Sequence, residues 1–424
     1  MARNPNAVSL IPDYTDWICS GSKDRGIVYD CFSMILLLRI LNRIVFVVVY
    51  LIILSIFAEL LLRSFVFHQP KYYVYPPFLK QVFHPDPDIL PGIVGSATYQ
   101  TNGDGIRGDP IRKDHTYKIL AIGGSTTESV YVDQGKSWPY LLQTTLGKSG
   151  YPGNVWVGNA GKSGLNTRHH VLAVKTLIPQ ISPDAIILLT GINDLNLRLL
   201  QDTSYTPMSV SEEVNDPELY SQAFVRYPMG ASLWDSLKNT ALYGMYIKLK
   251  YYTHFIKNED LIDDTGHFYL RMRRMRREAT VVREVLPDMG AALDEYRNNL
   301  LEIIRIAKST NTRLIFMTQP TMFYRDMPHE LESLLWFGQV ENGRDDMSEY
   351  YSSGAMSDGI GLYNELMKSL CTVQSVECID LASLLRKDTT VFYDDCHFND
   401  SGSATIASIL TNYFMEHQKA YSGK

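Results

Sequence analysis

Residues Lys118–Ser129 read KILAIGGSTTES, a short apolar run that breaks into small residues and then a serine. Such a run predicts a buried strand. It places Ser125 on the strand-to-helix turn, with its hydroxyl exposed and helix N-terminal amides near any developing anion. A plainer reading makes Ser125 an N-cap, with Glu128 completing a capping box. Working outward, similar runs predict strands at Val155–Val157, Ala185–Leu189, Arg313–Met317 and Glu377–Leu381. Helical patterns fall between and after them, at Trp138–Leu146, His169–Ile178, Leu293–Lys308, Gly361–Ser369 and Ala404–Tyr413. Strands alternating with helices predict a parallel α/β sheet. The interval between the third and fourth strands is far beyond a normal crossover, so residues from about 197 to 290 read as an insertion.

Three more of these strands lead into residues that carry chemistry. The second is followed by GNAGKSG at 158–164, whose glycines let backbone N–H groups approach a ligand closely. A phosphate-binding loop fails there, because it needs a glycine where Trp156 stands. The third runs AIILLTGIND and ends in Asn193-Asp194, at the carboxyl end of a parallel sheet, where open α/β folds place ligands. Asn193 offers a neutral N–H₂ donor suited to an oxyanion, or simply caps the loop. Near the C-terminus, FYDDCHFNDSG sets Asp394 three residues before His397, so one helical turn would bring them to the same face. The carboxylate could then fix the imidazole tautomer and stabilise the imidazolium. Asp395, two residues from His397, would point away on such a turn.

Taken together, a serine, a glycine-rich turn, an asparagine and Asp-x-x-His, each after a strand of one sheet, resemble the SGNH (GDSL-like) hydrolase superfamily. The resemblance covers roughly residues 115–415 apart from the insertion, and its fold would be a flavodoxin-like three-layer α/β/α sandwich with about five parallel strands. It implies that Ser125 is the nucleophile, that His397 is the general base and that Asp394 orients it. The oxyanion hole would comprise the backbone N–H groups of Ser125 and Gly164 and the side chain of Asn193. One departure is visible: the family's usual Asp before the nucleophile is Gly124 here. The form GGSTT, the upstream TNGDGIRG at 101–108 and the TQP at Thr318–Pro320 look like membrane-anchored members. The G-x-S-x-G elbow of α/β-hydrolases fails, because Thr127 occupies its last position.

A membrane anchor is also expected from the residues themselves. Ile44–Leu62 reads IVFVVVYLIILSIFAELLL, with only Glu59 ionisable. At roughly 1.5 Å per residue it reaches about 28 Å, close to the hydrocarbon thickness. Arg63 can pair with Glu59 at i+4. The domains expected are a tail at 1–43, the transmembrane anchor at 44–62, a Pro- and Tyr-rich irregular stalk or strap at 63–112, and the hydrolase-like domain at 113–424. Arg25, Arg39 and Arg43 precede the span, and Arg63, Lys71 and Lys80 follow it. The nearer Arg39 and Arg43 favour an extracytoplasmic catalytic domain.

Composition restricts the partners. Forty Lys+Arg against 46 Asp+Glu in 424 residues give a net charge of −6, with no basic excess to recruit nucleic acid. Five cysteines do not make a disulfide scaffold, although a pair among Cys371, Cys378 and Cys396 could bridge in an oxidising compartment. No cofactor is implied, and the adjacent His169 and His170 cannot both face one metal. The run RMRRMRRE at Arg271–Glu278 reads as a solvated helix face, or as a site for an anionic substrate or headgroup. Asn399-Asp-Ser matches a glycosylation sequon only by chance. The function expected is a membrane-anchored serine esterase cleaving a small acyl ester on a small molecule, glycan or lipid. The alternatives are an O-acyltransferase using the same triad on an extracytoplasmic glycan, and an inactive binding module. The sequence leaves the oligomeric state open.

Overall fold

A computed structural model describes residues 25–65, 72–201, 204–210, 216–227, 237, 240–257, 265–340 and 348–418. Most of the expected tail, Lys71 and parts of the expected insertion lie outside these residues. The chain divides into two units, 1–68 with 240–242, and the remainder.

In the first unit a single helix runs Arg25–Phe65. Its apolar stretch is Leu36–Arg63, with a mean hydropathy of 2.9 and no part buried, so it is long and apolar enough to cross a membrane. This apolar stretch starts earlier than Ile44, because Arg39 and Arg43 interrupt the apolar residues without breaking the helix. Long basic side chains of this kind can reach the headgroups from inside a span. Arg63 pairs with Glu59 at 2.7 Å, as the i+4 spacing predicts. The same carboxylate accepts from the backbone N–H groups of Ala241 and Leu242 at 2.7 and 2.9 Å.

The second unit opens with a strap. Residues expected to be irregular contain an antiparallel pair, β1 (Lys80–Phe83) and β2 (Ala97–Gln100). These strands are too short for their alternation to stand out among the surrounding prolines and tyrosines. The main sheet follows: β3 (Tyr117–Gly123), β4 (Val155–Asn159), β5 (Ala185–Leu189), β7 (Arg313–Met317) and β9 (Glu377–Ile379). Its order is β4-β3-β5-β7-β9 and every pairing is parallel, which is the doubly wound arrangement of flavodoxin-like folds. Two short strands, β6 (Val281–Arg283) and β8 (Glu349–Tyr351), pair separately. All five residues of β4, β5 and β7 are buried, which is why β5 reads as an unbroken apolar run and β4 and β7 as apolar runs with one polar end. Helices Trp138–Lys148 and Asp400–Glu416 pack together on one side. Helices Thr167–Ile181, Gly290–Ser309 and Ser353–Gln374 pack on the other.

This strand order positions the site. Because β3 lies between β4 and β5, the residues that follow those three strands converge at one point of the carboxyl edge. The segment after β9 comes from the far edge and returns to the helix that packs on Trp138–Lys148. Hydrogen bonds of 2.6 Å, Lys136 to Asp400 and between the Thr145 and Thr411 hydroxyls, fasten that return.

Candidate active site

Ser125 is the first residue of a short helix, Ser125–Glu128, directly after β3. The helix N-cap is Gly124 and no side chain caps it, so the capping-box reading of Ser125 and Glu128 fails. Glu128 turns instead to the glycine-rich loop, where its buried carboxylate accepts from the Ser163 backbone N–H at 2.6 Å and from the Ser163 hydroxyl. The Tyr75 hydroxyl of the strap also donates to it. Arg107, from the TNGDGIRG stretch, is fully buried and donates to the carbonyls of Glu128, Ser129 and Val132 just past the helix. The strap therefore secures the turn that carries Ser125.

The loop after β4 reaches Gly164, whose φ of +77° is a left-handed conformation that a side chain would strain. Among the described residues, neither the Gly164 N–H nor the Ser125 N–H donates to a partner. The Asn193 side chain uses one amide hydrogen on the Leu165 carbonyl at 2.8 Å. Its nitrogen lies so close to Gly124 that a Cβ there would sit 2.5 Å away. That contact gives a steric reason for Gly124: with Asn193 where it stands, an aspartate has no room.

The fourth group arrives from the C-terminal segment. His397 Nε2 lies 2.7 Å from the Ser125 hydroxyl oxygen, and His397 Nδ1 lies 2.7 Å from Asp394 Oδ2. The Asp-x-x-His spacing does not work through a helical turn. Residues 393–396 form a bend closed by a bridge between Phe392 and Phe398, and the helix starts only at Asp400. Within that bend Asp394 Oδ1 accepts the N–H groups of Cys396 and His397 at 3.0 and 2.8 Å. Asp395 does point away, onto the N–H groups of Trp336 and Phe337.

Burial and charge divide the two acids. Burial would raise Asp394, but the charge and hydrogen bonds of His397 outweigh it and hold the carboxyl below its usual value. Burial would lower His397, yet Asp394 beside it raises the imidazole above its ordinary value. Asp395, by burial and by the charge of Asp394, is pushed up to about 7. Asp394, Cys396 and His397 present ligand-type atoms within 4.8 Å of one another. Burial keeps the Cys396 thiol protonated, and both imidazole nitrogens are already engaged, so this donor set is occupied by hydrogen bonds.

Aromatic rings enclose the imidazole. Tyr393 stacks on it at 5.5 Å and Trp336 lies parallel to it at 6.4 Å, with Tyr269 edge-on at 6.2 Å. Tyr269 belongs to helix His267–Arg277, the arginine run of the expected insertion. The solvated-face reading of that run holds for Arg271, Arg274 and Arg277 but not for Arg273. Arg273 is buried and donates to the carbonyls of Ile89, Leu334 and Tyr393 at 2.6, 3.0 and 2.9 Å. Arg276 is largely enclosed too, on the carbonyls of Phe337 and Tyr351. Sequence reasoning missed Trp336, which lies in no motif, and it quoted the stretches that hold Arg107 and Arg273 without showing the distant backbone carbonyls these two side chains reach.

The remaining candidates are structural. His169 bonds to Asn166 and Gln222, and burial with His169 nearby pushes His170 down to about 3. Cys371, Cys378 and Cys396 are free thiols. Asn399 is buried and accepts from the Gly402 N–H as a helix cap, so its sequon is closed in the folded chain.

Comparison with known proteins gives one family. The GDSL-like lipase/acylhydrolase family matches residues 119–410. No curated protein matches the sequence. Solved structures that are similar include a lipase/acylhydrolase from Enterococcus faecalis, 14% identical, covering 71% of this chain and 96% of that one, with a TM-score of 0.36. Another is an acetylxylan esterase from Geobacillus stearothermophilus, solved as a catalytic mutant. It is 14% identical and covers 72% of this chain and 95% of that one, with a TM-score of 0.35.

Proposed function

The chain belongs to the GDSL-like lipase/acylhydrolase family and is an ester-cleaving hydrolase, and from that premise we propose that it is a membrane-anchored serine esterase acting on small acyl esters. The observation that carries this reading is the unbroken Ser125–His397–Asp394 hydrogen-bond chain, 2.7 Å at each link, with backbone N–H groups at Ser125 and Gly164 that donate to no partner among the described residues. His397 Nε2 takes the Ser125 proton as the oxygen attacks the ester carbonyl. The N–H groups of Ser125 and Gly164 and the second amide hydrogen of Asn193 receive the oxyanion. Collapse expels the alcohol with the proton from His397, and water then cleaves the acyl-enzyme by the same steps reversed. The aromatic enclosure of His397 supports a short acyl group. The Leu36–Arg63 span with its N-terminal Arg39 and Arg43 supports a single-pass anchor and an extracytoplasmic catalytic unit.

The direct test is incubation of the detergent-solubilised protein with a fluorophosphonate probe, followed by peptide mapping. A single adduct on Ser125, and acetate release from acetylated glycans or short esters, are expected. Labelling elsewhere, or acyl transfer to added sugar hydroxyls outpacing hydrolysis, would redirect the reading.

Two further outcomes follow from the geometry. The base must be neutral to accept the serine proton, and Asp394 holds His397 protonated to higher pH than an ordinary histidine. The rate constant kcat/KM should therefore rise with pH through a midpoint above about 6.5 and then level. A midpoint at or below that value in a pH–rate profile would contradict the pairing. The second outcome concerns Gly124→Asp, which restores the family's usual residue. It should not improve activity but lower kcat by roughly 10²–10³, because its Cβ displaces Asn193. Steady-state kinetics with unchanged kcat would show that Asn193 yields without loss.

A further inference from the structure

We propose that Trp336 is a positioning residue for the Asp394–His397 pair, seated by the neighbouring acid Asp395. This rests on the serine-esterase reading of Ser125, His397 and Asp394. Asp394 is fully buried, and its two oxygens receive different donors. Oδ1 takes N–H groups from its own bend, so it is fixed by local backbone. Oδ2 takes His397 Nδ1 at 2.7 Å and the Trp336 indole N–H at 3.0 Å. Among the described residues, the indole is the only donor to this carboxylate from outside its own bend. It shares the oxygen that faces the imidazole, while its ring lies parallel to that imidazole, with 3° between the planes.

Nothing in the sequence near Trp336 would bring it there, since it stands 58 residues before Asp394. Asp395 does so. Its carboxylate accepts the Trp336 N–H at 2.9 and 3.1 Å and the Phe337 N–H at 3.1 Å. Arg273 then ties the Leu334 carbonyl of the tryptophan loop to the Tyr393 carbonyl of the acid loop. The two adjacent acids thus have separate tasks: Asp394 faces the base, and Asp395 holds the loop whose indole steadies Asp394.

The chemistry gives this arrangement a signature. A carboxylate that loses a hydrogen-bond donor becomes more basic and holds the imidazolium more tightly. Without the indole N–H, His397 should remain protonated to higher pH. The other titratable or charged groups facing the pair are Asp395, Cys396 and Tyr393 in the same bend, Tyr269 and Arg273 on helix His267–Arg277, and Glu128. None of them changes when only the indole nitrogen is altered.

The test uses the full chain in detergent with p-nitrophenyl acetate. Trp336→Phe keeps an aromatic ring against His397 and removes the N–H. The expected result is a kcat lower by about tenfold with KM nearly constant, and an acid limb of kcat/KM moved up by about half to one pH unit. An unmoved limb, whether or not kcat falls, would overturn the proposal, because packing alone does not change the basicity of Asp394. Should Trp336→Phe fail to fold, 3-benzothienylalanine introduced at position 336 keeps the shape with sulfur in place of N–H, and the same limb is read. Activity surviving in Ser125→Ala would instead overturn the underlying serine-esterase reading, independently of these results.

Discussion

Ser125→Ala should lower kcat for p-nitrophenyl acetate by on the order of 10⁵–10⁶ while leaving the protein folded. The size follows from the way the three groups act. In the proposed mechanism the serine oxygen forms the covalent bond, so without it the imidazole has nothing to activate and Asp394 nothing to orient. His397→Ala should then cost about as much as Ser125→Ala, and the double variant little more than either. What survives is the contribution of the oxyanion donors, which in comparable triads sustains roughly 10³–10⁴ over water. Loss of the hydroxyl removes one hydrogen bond at a partly exposed position, a stability cost of about 1 kcal/mol. Urea denaturation should confirm that the variant is folded. A loss below about a hundredfold would mean that another group attacks the ester.

Asp394→Asn should lower kcat by on the order of 10⁴. The isosteric change turns one acceptor oxygen into an NH₂ group. The N–H groups of Cys396 and His397 need an acceptor at Oδ1, so the new amide nitrogen must stand at Oδ2. There it faces the indole N–H of Trp336 and Nδ1 of His397. Histidine can relieve the clash only by accepting at Nδ1, which puts its proton on Nε2, against Ser125. A base in that tautomer cannot take the serine proton. The same substitution sets the amide against the indole donor, so a smaller loss of stability accompanies the larger loss of rate. Retention of more than a tenth of the activity, with native stability, would show that Asp394 does not fix the tautomer.

Much of this was legible in the sequence, for a physical reason. Strand β5 begins and ends where its apolar run does, because a strand covered on both faces favours apolar residues throughout. Ser125, Gly164 and Asn193 follow the three adjacent strands β3, β4 and β5, so strand order gathers them, whereas Asp394 and His397 return from the far edge of the sheet. The illegible parts are contacts without local pattern. Trp336 and Arg273 act on groups 58 and 120 residues away, and their partners include backbone carbonyls that leave no trace in residue type. The apolar stretch of the helix begins at Leu36, before the arginines at 39 and 43 that look like a boundary in the sequence, because the backbone hydrogen bonds of a helix run through them unchanged.

The separation of Ser125 from His397, 272 residues along the chain, has a consequence for the time at which the protein becomes active. At roughly 5–20 residues per second, a ribosome places the histidine some tens of seconds after the serine. Through that interval the serine-bearing turn lacks its His397 partner, and the helix that closes over Trp138–Lys148 has not been made. On the proposed mechanism, a nascent chain is thus chemically silent toward the esters around it until the segment that carries His397 has emerged and folded back onto the serine turn. On the same mechanism, a stop codon before position 397 should leave a chain without a base rather than a weakened enzyme.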